Sequence, residues 1–342
     1  MPPTFPADQA PHLCYVDCTI KGYKRTVTSS NGFSYLNTRD QPITNRVVLN
    51  RIASLVIPPA WKNVWICPNP KGHIQATGID KKGRKQYRYH PRWKEWRQSQ
   101  KFDLLRPFGQ RLERLRQQVA KDLRKSDWDL DKICALAIEI IDQTSIRPGS
   151  QAYQTQNGSY GLTTLYKRHL KERTGNRVFF RFTGKKGIRQ EKQIKGKKLI
   201  QLLKKVQDMP GQRLFQYVDD HGVKHRLDSG QLNAYLQRTM ELPASCKTFR
   251  TWNACMATLH YFVEHYTEEV PTRTEQTKRA IDYVAAVLGN TPTVAKQHYV
   301  LPQLLDAFEN GNMDRWLKKM QDAPASQHNE RAREYLLKVL AT

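Results

Sequence analysis

Four residues far apart in the chain are of the types that a phosphoryl-transfer site requires. Tyr299 lies in "LGNTPTVAKQHYVLP" (288–302). There Gly289 predicts the end of one helix, Thr291-Pro292 the cap and first position of a short second one, and Pro302 a break after the tyrosine. Arg147 follows the apolar run "IEIIDQTSI" and precedes Pro148-Gly149, so its guanidinium emerges where a buried helix ends. Arg250 stands in "KTFRTWNACMATL" among Phe249, Trp252 and Met256. A cation near a helix N-terminus opposes the macrodipole and calls for an anion, and a phosphate would serve. Lys185 occupies the glycine-bracketed "FTGKKG" at the tip of a predicted hairpin. Three of them have an ordinary alternative: a packed aromatic for Tyr299, a helix C-cap for Arg147 and a solubilising tip lysine for Lys185. Together they form a set with a chemistry. A phenol with a reference pKa of about 10 must be deprotonated to attack a phosphodiester. Two arginines can clamp the non-bridging oxygens, and a mobile lysine can protonate the leaving alkoxide. Cations beside the phenol also favour its ionised form, and with so many of them the scheme needs no metal and no cofactor.

Stepping outward to the elements that must hold these residues, the chain divides at about residue 90. Residues 1–90 are short and turn-rich, with strands predicted at 32–37, 63–68, 73–79 and 84–90. "PNPKG" and "DKKG" separate the last three, and one helix is predicted over 45–57, stopped by Pro58-Pro59. Residues 91–342 read as mainly helical. "RLERLRQQVAKDLRK" is basic and amphipathic, and "DKICALAIEIIDQT" (131–144) is apolar enough for a central helix. Residues 177–194 and 213–227 alternate around turns at Gly184–Gly187 and Asp220–Gly222, predicting two hairpins. Asp228-Ser229 caps the helix that follows, and further helices are predicted over 247–268, 272–288 and 328–341. The expected fold class is α+β, a small antiparallel β-rich domain followed by a mainly α-helical one.

Charge points to the partner. Fifty-seven Lys and Arg against thirty-one Asp and Glu leave a formal net charge of +26 over 342 residues. Such a field attracts polyanions and opposes self-association, which predicts a nucleic-acid-binding monomer. The charge is concentrated: residues 71–101 hold ten Lys/Arg and two acids, interleaved with Tyr87, Tyr89, Trp93 and Trp96, and residues 167–205 hold fifteen and two. One basic run on each domain suggests two walls gripping a duplex through its phosphates. No segment approaches the roughly twenty consecutive apolar residues of a membrane span, and the N-terminus lacks a basic-then-apolar leader pattern. Six cysteines without a CxxC pair argue against a zinc site and for reduced thiols, hence a cytoplasmic, nucleoid-associated protein. No Walker A sequence occurs.

The stretches "NVWICPNPKGHIQATGIDKKGRKQYRYHPRW", "QNGSYGLTTLYKRHL", "FTGKKG", "FRTW" and "LGNTPTVAKQHYVLP" resemble, in this order, the type IB DNA topoisomerases of the compact poxvirus-like and bacterial branch. The likeness spans about residues 20–310. It implies the catalytic fold shared with tyrosine recombinases and an enzyme that nicks one strand of duplex DNA through a 3′-phosphotyrosyl bond. Strand rotation then relaxes supercoils and the nick is resealed, without ATP or an obligatory metal. By position, Arg147 and Arg250 resemble the phosphate clamp, Lys185 the general acid and Tyr299 the nucleophile. Asn290, nine residues before the tyrosine, stands where the superfamily often has histidine, and its amide can donate the same hydrogen bond. "RPGS" (147–150) and "NAC" (253–255) depart from the glycine and small hydroxyl residues expected there. His298, adjacent to Tyr299, would point about 100° away from it on a helix and takes no catalytic role.

Two other readings compete. A tyrosine recombinase shares the chemistry, but usually carries histidine three residues before the second arginine, where this chain has Lys247. A non-enzymatic DNA-binding protein would use the basic runs alone and form no covalent adduct.

Overall fold

The computed structural model describes residues 13–28, 32–81, 83–173, 177–266 and 272–341. The chain forms two compact units, residues 1–101 and 102–342. The sequence-based boundary at residue 90 falls at the start of the helix that closes the first unit.

In the first unit, β1 (Tyr23–Val27), β2 (Phe33–Leu36), β3 (Lys62–Ile66), β4 (Ile74–Ile79) and β5 (Lys85–Tyr89) form an antiparallel sheet in the order β2-β1-β3-β4-β5. The meander β3-β4-β5 lies where the turn signals put it. β1 is additional to the sequence reading, because "YKRTV" carries two cations in five residues. The sheet accommodates them with polar partners: the Arg25 guanidinium donates to the carbonyls of Pro58 and Trp61, and Lys24 pairs with Asp40. The helix α1 (Arg46–Ser54) packs Ile52 against Val64, Ile66 and Ala76. It is shorter than the predicted 45–57. Asn45 caps it as a side-chain acceptor, and the chain leaves helical space at Val56, whose φ of 46° is left-handed, before the prolines are reached. The helix α2 (Pro91–Asp103) follows β5.

The second unit opens with α3 (Leu105–Asp122) and α4 (Leu130–Thr144). α4 is buried on nearly every side from Lys132 to Ile141, as an all-round apolar helix must be, and its side chains belong to the core of the unit. After α5 (Gln151–Asn157), a three-stranded sheet of β6 (Leu170–Arg173), β7 (Arg177–Thr183) and β8 (Arg189–Ile194) forms in that order. β7 and β8 are the predicted 177–194 hairpin, with Thr183 opposite Arg189 beside the tip. Then come α6 (Lys197–Asp208) and the second hairpin, β9 (Gln216–Val218) with β10 (Lys224–Arg226). α7 (Ser229–Met240) starts at Asp228, whose carboxylate accepts from Gly230 and Gln231, as its sequence predicts. α8 (Cys246–Glu264) and α9 (Arg273–Leu288) lead to α10 (Pro292–His298). The predicted helix 247–268 thus ends at Glu264, and Thr267 and Glu268 lie outside the described residues. The chain continues through α11 (Pro302–Glu309), α12 (Asp314–Gln321) and α13 (His328–Val339). Arg273 at the head of α9 ties that tail in, pairing with Asp314 at 2.6 Å and donating to Phe308 O at 2.7 Å.

The crossing of α3 and α8 gives a sharp packing test. Gly109 faces the buried Trp252, and a Cβ there would lie 2.2 Å from the ring, too close for any side chain. Alanine in a helix gains about 1 kcal/mol over glycine, whereas overpacking a closed core costs about 1–3 kcal/mol. Gly109→Ala should therefore lower the urea midpoint despite its better helix propensity. Combined with Trp252→Phe, it should cost less than the sum of the two single changes.

Candidate active site

α9 ends in a left-handed residue, Gly289 (φ 61°), which turns the chain so that Asn290 N bonds back to Ala285 O at 2.8 Å. Around this helix end gather the groups picked out in the sequence. Arg250 on α8 is 2% exposed. One guanidinium nitrogen donates to Ser145 O, at the left-handed end of α4, and the other terminal nitrogen donates to Leu288 O at 3.0 Å. The negative charge that its helix position calls for is supplied in part by the carbonyl ends of two other helices, which carry partial negative charge. Its Nε is buried with no hydrogen-bond partner among the described residues. Burial first, and then the charge of Arg147, pull its pKa down to about 10.

Arg147 reaches the same place from the end of α4. Its guanidinium donates to Asn290 Oδ1. That bond leaves the amide's Nδ2 inward, where it too is buried without a partner among the described residues. The segment carrying Arg147 is clasped by the "GLTT" stretch: Leu162 N donates to Arg147 O and Thr163 N to Pro148 O, both at 2.8 Å. A Cβ on Gly161 would come within 2.5 Å of Gly149 Cα, so the two backbones meet in van der Waals contact that only glycine permits.

Tyr299 caps α10 at its C-terminus and is 8% exposed, with the Arg250 guanidinium carbon 5.2 Å from its ring centroid. Thr291 caps the N-terminus of α10 and Pro292 occupies its first turn, as the sequence predicts. Burial alone would raise the phenol pKa. The charge of Arg250 and its hydrogen bond to the phenol, with the charges of Arg147 and Lys247, outweigh it and hold the pKa below its ordinary value. His298, one residue earlier, is exposed.

The departures at 147–150 and 253–255 are built into this arrangement. Asn253 Nδ2 donates to Asp142 O at 2.7 Å and to Ser145 Oγ at 3.0 Å, fixing the turn whose carbonyl holds Arg250. The Cys255 thiol lies 3.5 Å from Tyr299 O.

Lys185 stands apart. It is exposed at the β7–β8 tip, where Gly184 N bonds to Ile188 O and Lys186 adopts a left-handed φ of 62°. The structure brings Arg147, Arg250, Asn290 and Tyr299 together and leaves Lys185 outside their contacts.

Two β8 residues join the cluster that the sequence reading missed. The buried Gln190 lies against both Gly184 and Gly289, so tightly that a Cβ on Gly289 would meet its amide at 2.5 Å. Lys192, two residues on and on the same face, donates to Val287 O. Their signal was the alternation along "RQEKQI", which turns Gln190, Lys192 and Ile194 to the inner face.

Residues 90–322 match the family described as eukaryotic DNA topoisomerase I, catalytic core, and residues 32–80 match the bacterial DNA topoisomerase IB N-terminal domain. The chain is 29% identical over 333 residues to DNA topoisomerase 1B of Acanthamoeba polyphaga mimivirus, covering 94% of this chain and 95% of that protein. It is 23% identical over 241 residues to the vaccinia virus DNA topoisomerase 1B, covering 69% and 73%. Over 204 residues it is 26% identical to DNA topoisomerase 1 of Candida albicans, covering 58% of this chain and 25% of that larger protein. With both segments matched in order and the catalytic-core match spanning most of the chain, it belongs to the type IB DNA topoisomerases, enzymes of the isomerase class.

Proposed function

We propose that the chain relaxes duplex DNA by a transesterification in which Tyr299 attacks a phosphodiester and forms a 3′-phosphotyrosyl bond. The free 5′ strand rotates, and the same site runs backwards to reseal the nick. The observation that carries this reading is the pair of buried, unpartnered donors, Arg250 Nε and Asn290 Nδ2, beside a phenol in a field of cations. Buried donors without acceptors are costly, and a bound phosphate oxygen is the acceptor that would satisfy both. Arg147 and Arg250 clamp the phosphate and neutralise the charge that builds up in the transition state. Asn290 donates to a non-bridging oxygen. Lys185 reaches in from the hairpin tip once DNA is bound and protonates the leaving 5′ oxygen. The driving force is redistributed bond energy, since one phosphodiester is exchanged for another, so neither ATP nor a metal is called for. The basic runs of the two units would grip the backbone of the duplex.

Relaxation of a supercoiled plasmid should proceed in EDTA without nucleotide. Tyr299→Phe should bind DNA with near-parent affinity and form no SDS-stable adduct. An adduct from the Phe variant would remove Tyr299 from the reaction.

Asn290→Ala should slow cleavage by about 10²–10³-fold, the usual loss for one preorganised donor. Asn290→His should retain more activity, because one ring nitrogen can accept from Arg147 while the other donates to phosphate. Single-turnover cleavage rates separate these outcomes, and an Ala variant as fast as the parent would reduce Asn290 to a helix-end residue.

For Lys185→Ala the loss on ordinary DNA should be about 10²–10⁴-fold, the range for general acid catalysis. A 5′-bridging sulfur leaves without protonation. On that substrate Lys185→Ala should cleave nearly as fast as the parent, while Arg250→Ala stays slow. Equal rescue of both variants, or of neither, would assign the acid elsewhere.

A further inference from the structure

Three cations from three elements converge on one stretch of four residues. Lys192 of β8 donates to Val287 O, Arg250 of α8 to Leu288 O, and Arg147 from the end of α4 to Asn290 Oδ1. Lys192 is half-buried and shares the inner face of its strand with Gln190, which packs on Gly289. The groups facing it are neutral or positive: Phe180 pairs with it across the ladder from β7, α9 offers a carbonyl, and the charges acting on it are those of Arg250 and Arg147. The β7 cation Arg181 and its partner Glu191 neutralise one another at 2.7 Å, one ladder position away. Of the described residues, the α4 carboxylate Asp142 is held by Arg116, and the two charges that act on Lys192 are both positive.

We propose that Lys192 is a third cation of the phosphate site, and that an anionic phosphodiester seated there is the counter-ion that keeps it protonated. Engagement of the scissile phosphate is then coupled to uptake of a proton. Lys192 acts as a positioning residue through Val287 and the field on Arg250, not as a group that transfers a proton to the leaving oxygen.

The direction of the coupling follows from its surroundings. Burial, then Arg250 and Arg147, bring the Lys192 pKa down to about 8 in the free protein. A phosphate beside it favours the charged form and returns the pKa toward the ordinary lysine value of about 10.4. Below pH 7 Lys192 is charged in both states and no proton moves. Between the free and the bound pKa the complex holds more protons than the free protein, so protons are taken up and affinity falls as pH rises. A free pKa of about 8 corresponds to uptake of about half a proton at pH 8 and about nine-tenths at pH 9.

This inference rests on the reading of Arg147, Arg250, Asn290 and Tyr299 as the phosphate site, and the experiment separates the two. Binding of a short duplex to Tyr299→Phe protein is followed by calorimetry at pH 7, 8 and 9 in buffers of different ionisation enthalpy, which counts protons without interference from the phenol. The same counts are made with Lys192→Arg, which stays charged, and Lys192→Met, which is never charged. Expected is an uptake that grows with pH in the Lys192 protein and loses that half-proton component at pH 8 in both variants. Uptake that is unchanged by either substitution overturns the proposal. Should a variant fail to fold, lysines of the Tyr299→Phe protein carrying ¹³C-dimethyl labels supply the readout. A resonance that titrates near pH 8 without DNA and moves up by more than one unit with it supports the proposal, and its absence overturns it. The rate of covalent-adduct formation by Arg250→Ala tests the underlying reading: an adduct formed there at the parent's rate would dismiss the phosphate site itself. Loss of adduct together with Lys192-independent proton counts would dismiss only the role of Lys192.

Discussion

The site hangs on the anchoring of the Arg250 guanidinium between two helix ends. An ion 2% exposed would be prohibitively costly without partners, and its partners are the carbonyls of Ser145 and Leu288. Those carbonyls are available because each helix terminates in a left-handed turn, at Ser145 and at Gly289, that leaves its last acceptors unpaired. One cation therefore fixes the relative positions of α4, α8 and α9. Arg147 follows directly from the first helix and Asn290 directly from the third, so holding the three helices places both. Tyr299 completes the group through the short α10, which packs against α9 and touches α8 through Cys255.

What this arrangement gains in precision it gives up in charge balance. Lys192, Arg147 and Arg250 crowd one helix end, and their mutual repulsion and burial depress the pKa of two of them. The same unrelieved field is what favours ionisation of Tyr299. A cluster that held its own carboxylates would be easier to fold but would leave its arginines neutralised from within.

Much of this was legible in the residues. Gly289, Thr291-Pro292 and Tyr299 encode their turn, cap and helix locally, and the structure has each where the sequence puts it. The β7–β8 hairpin and the buried α4 are equally local, being set by alternation and by an all-round apolar run. The partners of Arg250 were not legible, since an arginine near a helix start calls for negative charge without saying that main-chain carbonyls provide it. Lys192 was hidden for a related reason: among fifteen basic residues between 167 and 205, only the strand register shows that this one lies on the inner face of its strand. β1 escaped because Arg25 and Lys24 break the apolar alternation, and their neutralising partners come from residues 16 to 36 positions away.

The anchoring of Arg250 also bears on how such proteins diverge. Its acceptors are backbone atoms, which every amino acid supplies, so the bond itself asks for no particular side chain at 145 or 288, although Ser145 Oγ separately accepts from Asn253. Correlated substitution, the usual trace left by two side chains that depend on one another, has nothing to act on here. A comparison of many sequences would then find no side chain at 145 or 288 that changes in step with the arginine. The contact on which the geometry of this cluster turns is one that evolutionary couplings cannot see.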